Sequence, residues 1–289
     1  TEIWVGNPMW NDAQNSYDRG NGLSVQNNFQ LEYRPLDYLY LRGRFSVQKN
    51  IDETEVFTSP SDTQFDGEDI LMKGWYQNTS DKGVNYNGDV TATFGKLIGE
   101  KHQINAVLGA SLSEATNVTK GFDAIGFPEG DFTTPAFSNQ YSEGGKPSYS
   151  DYKKRSTSLY FNGNYSYDNR YLLDVNLRSD GSSVFGTNKR FTNTWAVGVA
   201  WNVYNEPFLK NLTDAFTMFK LRVSIGNPGN QNFGSFSSIT TYRFNNWMMN
   251  NFGTGLLINS FGDPDLDWQK TINLNYGIDL SIRNRLHLT

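Results

Sequence analysis

This 289-residue chain has two histidines and no cysteine, and that limits the chemistry open to it. His102 and His287 lie far apart, and no Ser/His/Asp or Cys/His arrangement can be assembled from the spacing. No catalytic residue is therefore assigned, and the chain reads as a non-enzyme. Its carboxylates offer oxygen ligands instead. Asp263-x-Asp265-x-Asp267 opens like a calcium loop. However, Trp268 stands where that loop needs glycine, and Leu274 where it needs a bidentate glutamate. The acidic run Asp62, Asp66, Glu68 and Asp69 reads as a solvated loop face. Neither a metal nor a cofactor is assigned. What remains is recognition chemistry. Tyr242-Arg243-Phe244-Asn245-Asn246-Trp247 mixes rings with amides, and Trp75-Tyr76 adds two more rings. Rings stack on sugars while amides bond hydroxyls, and the same set packs against a loop or a lid protein. Tyr242, Phe244, Trp247, Trp75 and Tyr76 are the candidate substrate contacts.

Most of the chain has another task, which is to alternate. Leu159, Phe161, Gly163, Tyr165 and Tyr167 take every second place, as do Tyr171, Leu173, Val175 and Leu177 after a short link, and then Trp195, Val197, Val199, Trp201 and Val203. Their neighbours are polar or small. A period of two places one set on each face of a strand. Similar runs cover Leu23 to Tyr33, Leu39 to Val47, Val90 to Phe94, Ile104 to Leu112, Phe219 to Ile225 and Ile272 to Ile282. The pattern lapses over residues 1–21, 49–86, 113–151 and 227–269, which are expected to be loops.

Three observations favour a membrane barrel over a sandwich. Links alternate between short and long, as short periplasmic turns and long extracellular loops do in outer-membrane barrels. Segments of about 9–12 residues suit a tilted strand crossing a bilayer. On the polar face stand Arg42, Arg44, Asp174, Arg178, Lys220, Arg222 and Asp279, costly in a sandwich core and at ease in a wet lumen. All nine prolines are expected in links. Tyr33, Tyr165, Tyr167, Tyr171, Trp201, Tyr204 and Phe208 near short links suggest an interfacial girdle.

Composition agrees. Only 37% of residues are apolar while 15% are aromatic, and lipid needs only alternate residues. The net charge of −5 and the absence of a basic block argue against a nucleic-acid partner. No apolar run approaches the roughly 20 residues of a membrane helix. The alternatives are a soluble or surface-attached carbohydrate-binding β-sandwich, which leaves the link order and charged face unexplained, and a non-transporting structural barrel.

Four segments then carry a family resemblance. Leu177-Arg178-Ser179-Asp180-Gly181-Ser182-Ser183-Val184-Phe185-Gly186 with Lys189-Arg190 resembles a segment of SusC/RagA-type TonB-dependent transporters. Ala200-Trp201-Asn202 with Asn205-Glu206-Pro207-Phe208, then Lys220 to Gln231, then Asp263 to Thr271, follow in that family's order, while Val184, Pro228 and Asp267 depart from its pattern. The match covers about Lys153 to Arg285. It implies an all-β, up-and-down antiparallel transmembrane barrel of 22 strands with a plugged lumen, integral to the bacterial outer membrane. This chain supplies about ten strands, with residues 1–289 part of one barrel domain and the plug and final strands expected outside it. The resemblance further implies a SusD-like surface lipoprotein as lid, TonB acting through the plug, and oligosaccharide or oligopeptide substrates.

Overall fold

The computed structural model describes residues 6–142, 145–186, 188–212, 216–230, 238–250, 253–267, 269–282 and 286–288. One short helix, α1 (Pro8–Asp12), precedes fifteen strands. They are β1 (Tyr17–Leu36), β2 (Leu39–Thr58), β3 (Trp75–Ile98), β4 (His102–Ile125), β5 (Gln140–Tyr141), β6 (Ser148–Tyr167), β7 (Tyr171–Ser182), β8 (Phe191–Asn202), β9 (Phe216–Asn227), β10 (Gly229–Asn230), β11 (Thr241–Asn250), β12 (Gly253–Ser260), β13 (Gln269–Lys270), β14 (Asn273–Ile282) and β15 (Leu286–Leu288). The main sheet has 11 strands in the order β1-β2-β3-β4-β6-β7-β8-β9-β14-β15, with β5 beside β4. Neighbours in space are neighbours in sequence, so the topology is up-and-down, with ten strands on the path as the alternation implies.

The contacts divide the chain into two compact units. The first comprises residues 28–46, 86–114 and 154–289. Here the register lines up the two faces. Tyr165, Leu173, Val199, Val223 and Tyr276 pair across five antiparallel strands, and so do Gly163, Val175, Val197, Ile225 and Leu274. Interleaved with these rows run Asn164, Asp174, Gly198, Ser224 and Asn275, and Asn162, Asn176, Ala196, Gly226 and Asn273. The apolar rows have no core to bury them: Leu159 is 57% exposed, Val199 53% and Ile278 56%. A sandwich would have hidden these side chains. Two of the tight turns use left-handed backbone, at Gly99 and Glu100 and at Asp168 and Asn169, the pattern whose twist matches paired strands.

The second unit comprises residues 1–27, 47–85 and 115–153. Its strand segments are polar on both faces, and side chains join them laterally. Asn117 Nδ2 donates to Asp81 Oδ1 at 3.4 Å and to Thr119 Oγ1 at 3.2 Å, while Gln77 Nε2 donates to Asp123 Oδ1 at 3.0 Å. A small core of Phe57, Tyr76, Ala124 and Phe127 is almost wholly buried, with Tyr17 and Phe122 packed against it. Phe57 meets Phe127 edge-on at 5.2 Å. Gly126, at φ 80°, lets the chain pass so close to Leu71 that a β-carbon would stand 2.2 Å from its carbonyl oxygen. In α1, Asn7 caps the first turn, accepting from Met9 N at 3.1 Å, and Trp10 Nε1 donates to Ser61 O at 2.8 Å.

Several expectations are corrected. Residues 1–21 hold α1 and the start of β1, and residues 49–86 and 113–151 hold long continuations of β2, β3, β4 and β6. These strands escaped notice because both faces are polar, which removes the alternation. Strands of 20 or 24 residues replace the expected 9–12 for β1 to β4 and β6, whereas β7, β8 and β9 have 12. The stretch 227–269 contains the β11–β12 hairpin. Pro35 lies inside β1 and Pro8 inside α1. The first stands one residue before the end of β1 at Leu36, beside the two-residue turn Asp37-Tyr38. The second takes a first-turn position, where no intrahelical bond is lost. The turn expected at Asn284 lies outside the described residues.

Replacing Phe57 by alanine removes the most enclosed ring of the small core and is expected to cost about 3–5 kcal/mol locally. Hydrogen exchange should quicken at residues 55–58, 75–77 and 122–127 while β7, β8 and β9 keep their protection.

Candidate functional site

The polar face of the main sheet gathers charge and neutralises it across strands. Arg44 Nε donates to Asp89 at 2.9 Å. Arg178 Nε donates to both oxygens of Asp180, at 2.8 and 2.6 Å, and its Nη2 to Ser158 Oγ at 2.9 Å, while Ser158 Oγ donates to Asp180 Oδ1 at 2.6 Å. Arg222 pairs with Asp279 at 3.1 Å, and Lys220 stands opposite Asp279 in register. Asp174 accepts from Asn164 Nδ2. Arg42 is half-buried, its Nε without a hydrogen-bond partner. The structure thus brings six of the seven expected polar-face side chains into cross-strand pairs or ion-pair registers. Each exposed pair contributes only about 0–1 kcal/mol, so their value lies in charge balance more than in stability. A recess of about 460 Å³ opens on this face, its floor the small residues Ala196 and Gly226 and its sides Tyr160, Asn162, Asn176 and Asn275. Arg178, paired with Asp180, also lines it, so the recess offers amide donors and acceptors beside a neutralised charge.

At the turn end, Glu206 joins three elements. Its Oε1 accepts from Trp201 Nε1 at 3.0 Å and its Oε2 from Arg170 Nη1 at 3.2 Å, and Tyr171 donates its hydroxyl as well. Arg170 is also held by Asp168 at 2.5 Å. Asn169 O accepts from both Asn202 Nδ2 at 3.2 Å and Asn205 Nδ2 at 2.8 Å. Bonds from Tyr171, Trp201 and Arg170, in that order of weight, hold the Glu206 carboxyl below the usual glutamate range. Rings surround this junction: Tyr167 lies over Tyr171 at 6.4 Å, and His102, bonded to Tyr165 at 2.8 Å, sits 5.0 Å from Tyr167. Tyr165, Tyr167, Tyr171 and Trp201, four of the seven rings expected near short links, thus gather at this one.

A second junction was invisible in the sequence. Val184 and Phe185 are buried as a pair. Gly186 N then donates to Leu266 O, and Asn188 N to Pro264 O, each at 3.3 Å. A β-carbon on Gly186 would stand 1.9 Å from Pro264 O. The segment after β7 is thereby clasped to the one before β13. In that segment Asp263 caps its own turn through Asp265 N at 2.9 Å, and Asp265 accepts from Asn188 Nδ2 at 2.9 Å. Asp62 and Asp69 likewise bond nearby backbone, at 2.9 and 2.8 Å. Among the described residues no three histidine or carboxylate side chains converge as metal ligands do.

The candidate contact residues separate. Tyr76 is 3% exposed inside the small core, so it packs rather than binds, and Trp75 is half-buried beside it in β3. Tyr242 and Phe244 are 62% and 67% exposed on one face of β11, opposite Ile258 and Leu256 of β12. The side chain of Trp247 lies outside the described residues.

The family described as TonB dependent receptor-like, beta-barrel, matches residues 3–289. The chain belongs to this family. Among similar proteins, TonB-dependent receptor P26 of Formosa agariphila is 29% identical over 293 residues, covering 96% of this chain and 28% of that protein. TonB-dependent receptor SusC of Bacteroides thetaiotaomicron is 33% identical over 140 residues, 46% of this chain and 14% of SusC. The solved RagAB peptide transporter shares the fold, with a TM-score of 0.80 over 93% of this chain and 30% of that one at 24% identity. The chain thus spans less than a third of the length of these relatives. In this TonB-dependent receptor barrel, Arg178 and Asp180, Arg222, Trp201 and Glu206, and the Gly186–Leu266 contact fall in the segments that carry the resemblance, while Arg44 and Asp89 lie outside them. Gln231 and Trp268 of those segments lie outside the described residues. Glu206 was legible only as part of a motif, since nothing in its spacing announces Arg170 or Tyr171 as partners.

Because its folded-state carboxyl is held low, Glu206 contributes stability that is present above the ordinary glutamate range and is lost as pH falls through the depressed value. Glu206→Gln should therefore lower the unfolding temperature of the detergent-solubilised receptor at neutral pH. The gap to the parent protein should narrow as the pH is taken below the ordinary glutamate range.

Proposed function

We propose that this chain forms wall and loops of an outer-membrane importer, energised through TonB and working with a SusD-like surface lipoprotein on oligomeric nutrients, glycans or peptides. The observation that carries this reading is the two-faced sheet: exposed apolar rows on one side, cross-strand ion pairs and amides on the other. Apolar rows without a core suit lipid, and paired charges suit a hydrated lumen. Arg42, Arg44, Asp174, Arg178, Lys220, Arg222 and Asp279 would then wet the passage and meet the plug. A sheet with open edges cannot stand in lipid, so further strands of the same receptor would close it, and the plug would come from outside this chain. The wall does no chemistry in this account. Its amide-lined recess would favour uncharged hydroxyl- or amide-bearing oligomers passing along it.

The β11–β12 hairpin is the candidate lid contact. Tyr242, Phe244, Leu256 and Ile258 form an exposed apolar face on a two-stranded ribbon. Such a face suits a packing partner better than sugar stacking, which would pair the rings with amides.

Two outcomes test these roles. Val199→Arg should cost about 2–4 kcal/mol if the residue lies near mid-bilayer, and Asn202→Arg distinctly less. Equal tolerance of both in a bilayer refolding assay would invert the face assignment. Tyr242→Ser with Phe244→Ser, in the whole receptor, should reduce co-purification of the surface lipoprotein at least about tenfold, as loss of a hot-spot pair does. Barrel assembly should be unchanged.

A further inference from the structure

We infer a binding site for a phosphate-bearing lipid on the apolar face, centred on Arg155 and Arg190. It rests on the reading that this face meets the bilayer. A recess of about 510 Å³ lies there, with Phe45, Leu112 and Phe191 as apolar lining and Arg155, Arg190 and Glu114 at its charged margin. Register places it on that face: Thr157, Gly181 and Phe191 pair in a row two steps from the row of Phe161, Leu177 and Trp195. Glycine makes the recess. A β-carbon on Gly181 would lie 2.5 Å from Phe191 Cε1, so only glycine lets that ring lie down across β7. Phe45 similarly lies beside Gly88, whose added β-carbon would be 3.7 Å away. The linings remain open, with Leu112 67% and Phe191 66% exposed.

The backbone fixes where the two guanidinium groups start. Arg155 N donates to Ser183 Oγ and Ser183 N to Arg155 O, both at 2.9 Å, while Ser182 N donates to Arg190 O at 3.0 Å. Arg155 Nε meets Glu114 Oε2 at 2.6 Å, and its side chain is 63% exposed. That bond uses one edge of the guanidinium, and arginine's terminal nitrogens carry four more N–H donors in a fork that matches phosphate. Two arginines against one glutamate leave the margin with net positive charge. An apolar trough leading into a cationic margin complements an acyl chain joined to an anionic headgroup. The recesses around Leu173, Val199 and Val223 and around Leu31, Val90 and Leu108 each include one arginine and no carboxylate, and the one around Phe29, Phe45 and Leu112 includes Arg44 already paired with Asp89.

The test uses the whole receptor with Leu112→Trp as reporter, in phosphatidylcholine nanodiscs. A trace of brominated-chain phosphatidylglycerol or of brominated-chain phosphatidylcholine is added, and the quenching of the added tryptophan is read against the parent protein. One net cation near the surface predicts about fivefold enrichment of the anionic lipid at the reporter. Arg155→Gln with Arg190→Gln should abolish the preference, and Arg155→Lys with Arg190→Lys should keep most of it. Inorganic phosphate at matched ionic strength should leave it unchanged. Equal quenching by the two lipids in the arginine-bearing reporter protein would overturn the site while leaving the bilayer face standing. Quenching by neither would overturn the bilayer face itself. Loss of the preference on adding phosphate would replace the lipid with a free anion.

Discussion

Register is the constraint that this sheet cannot relax. In most folded domains a strand that slips by one residue is pulled back by its core, but here the apolar rows are exposed and no core enforces the pairing. A one-residue slip between β8 and β9 would set Val199 against Arg222 and Ala200 against Leu221, mixing the faces over the rest of the ladder. What resists such a slip is distributed: tight left-handed turns at Asp168 and Asn169, small residues at Gly198, Ala196 and Gly226 where strands approach, and cross-strand bonds such as those of Arg178 and Asp180 to Ser158. Gly226 shows how tight the fit is, since a β-carbon there would meet Ala196 Cβ at 2.8 Å.

The short links and the unit with the aromatic core solve different problems. At the short links the turns are bonded to one another, with Asp168 N on Lys101 O at 2.6 Å and Glu206 collecting Arg170, Trp201 and Tyr171. Rings with polar tips fill the remaining space, which is where an amphipathic ring is comfortable beside a membrane surface. The unit built from residues 1–27, 47–85 and 115–153 relies instead on a conventional aromatic core and on lateral amide–carboxylate bonds. Water can reach both faces of its strands, so a polar residue costs nothing there and alternation has no purpose.

That difference explains which parts of the fold the amino-acid pattern could reveal. Strands facing an apolar surround on one side only, such as β7, β8, β9 and β14, are forced to alternate and were legible residue by residue. The continuations of β2, β3 and β4 carry runs such as Gln77-Asn78-Thr79-Ser80-Asp81, in which no face differs from the other, and they looked like loop. The β11–β12 hairpin was hidden for a related reason. Tyr242 and Phe244 do alternate with Arg243, but the signal is only three residues long before Asn245-Asn246 interrupts it. The clasp of Gly186 onto Pro264 and Leu266 joins segments far apart in sequence through backbone atoms, so side-chain identity carries almost no trace of it. Of the candidate site, the charged polar face was legible because charge in an alternating strand is conspicuous. Tyr76 was misread because an aromatic next to polar residues looks the same whether it seals a small core or waits for a ligand.

The same logic bears on how specificity could vary without disturbing the wall. Face polarity is fixed by the solvent on each side, and the turn junctions are fixed by bonds among Asn169, Arg170, Asn205 and Glu206, so neither can change freely. The side walls of the amide recess are under a weaker constraint. Asn162, Asn176 and Asn275 stand on the polar face, and exchange among amides, hydroxyls and small residues there keeps both the alternation and the charge balance. The hairpin face is freer still, because β11 and β12 form a sheet of their own, off the main sheet's path. The main sheet can thus stay constant while the recess walls and the apolar ribbon vary.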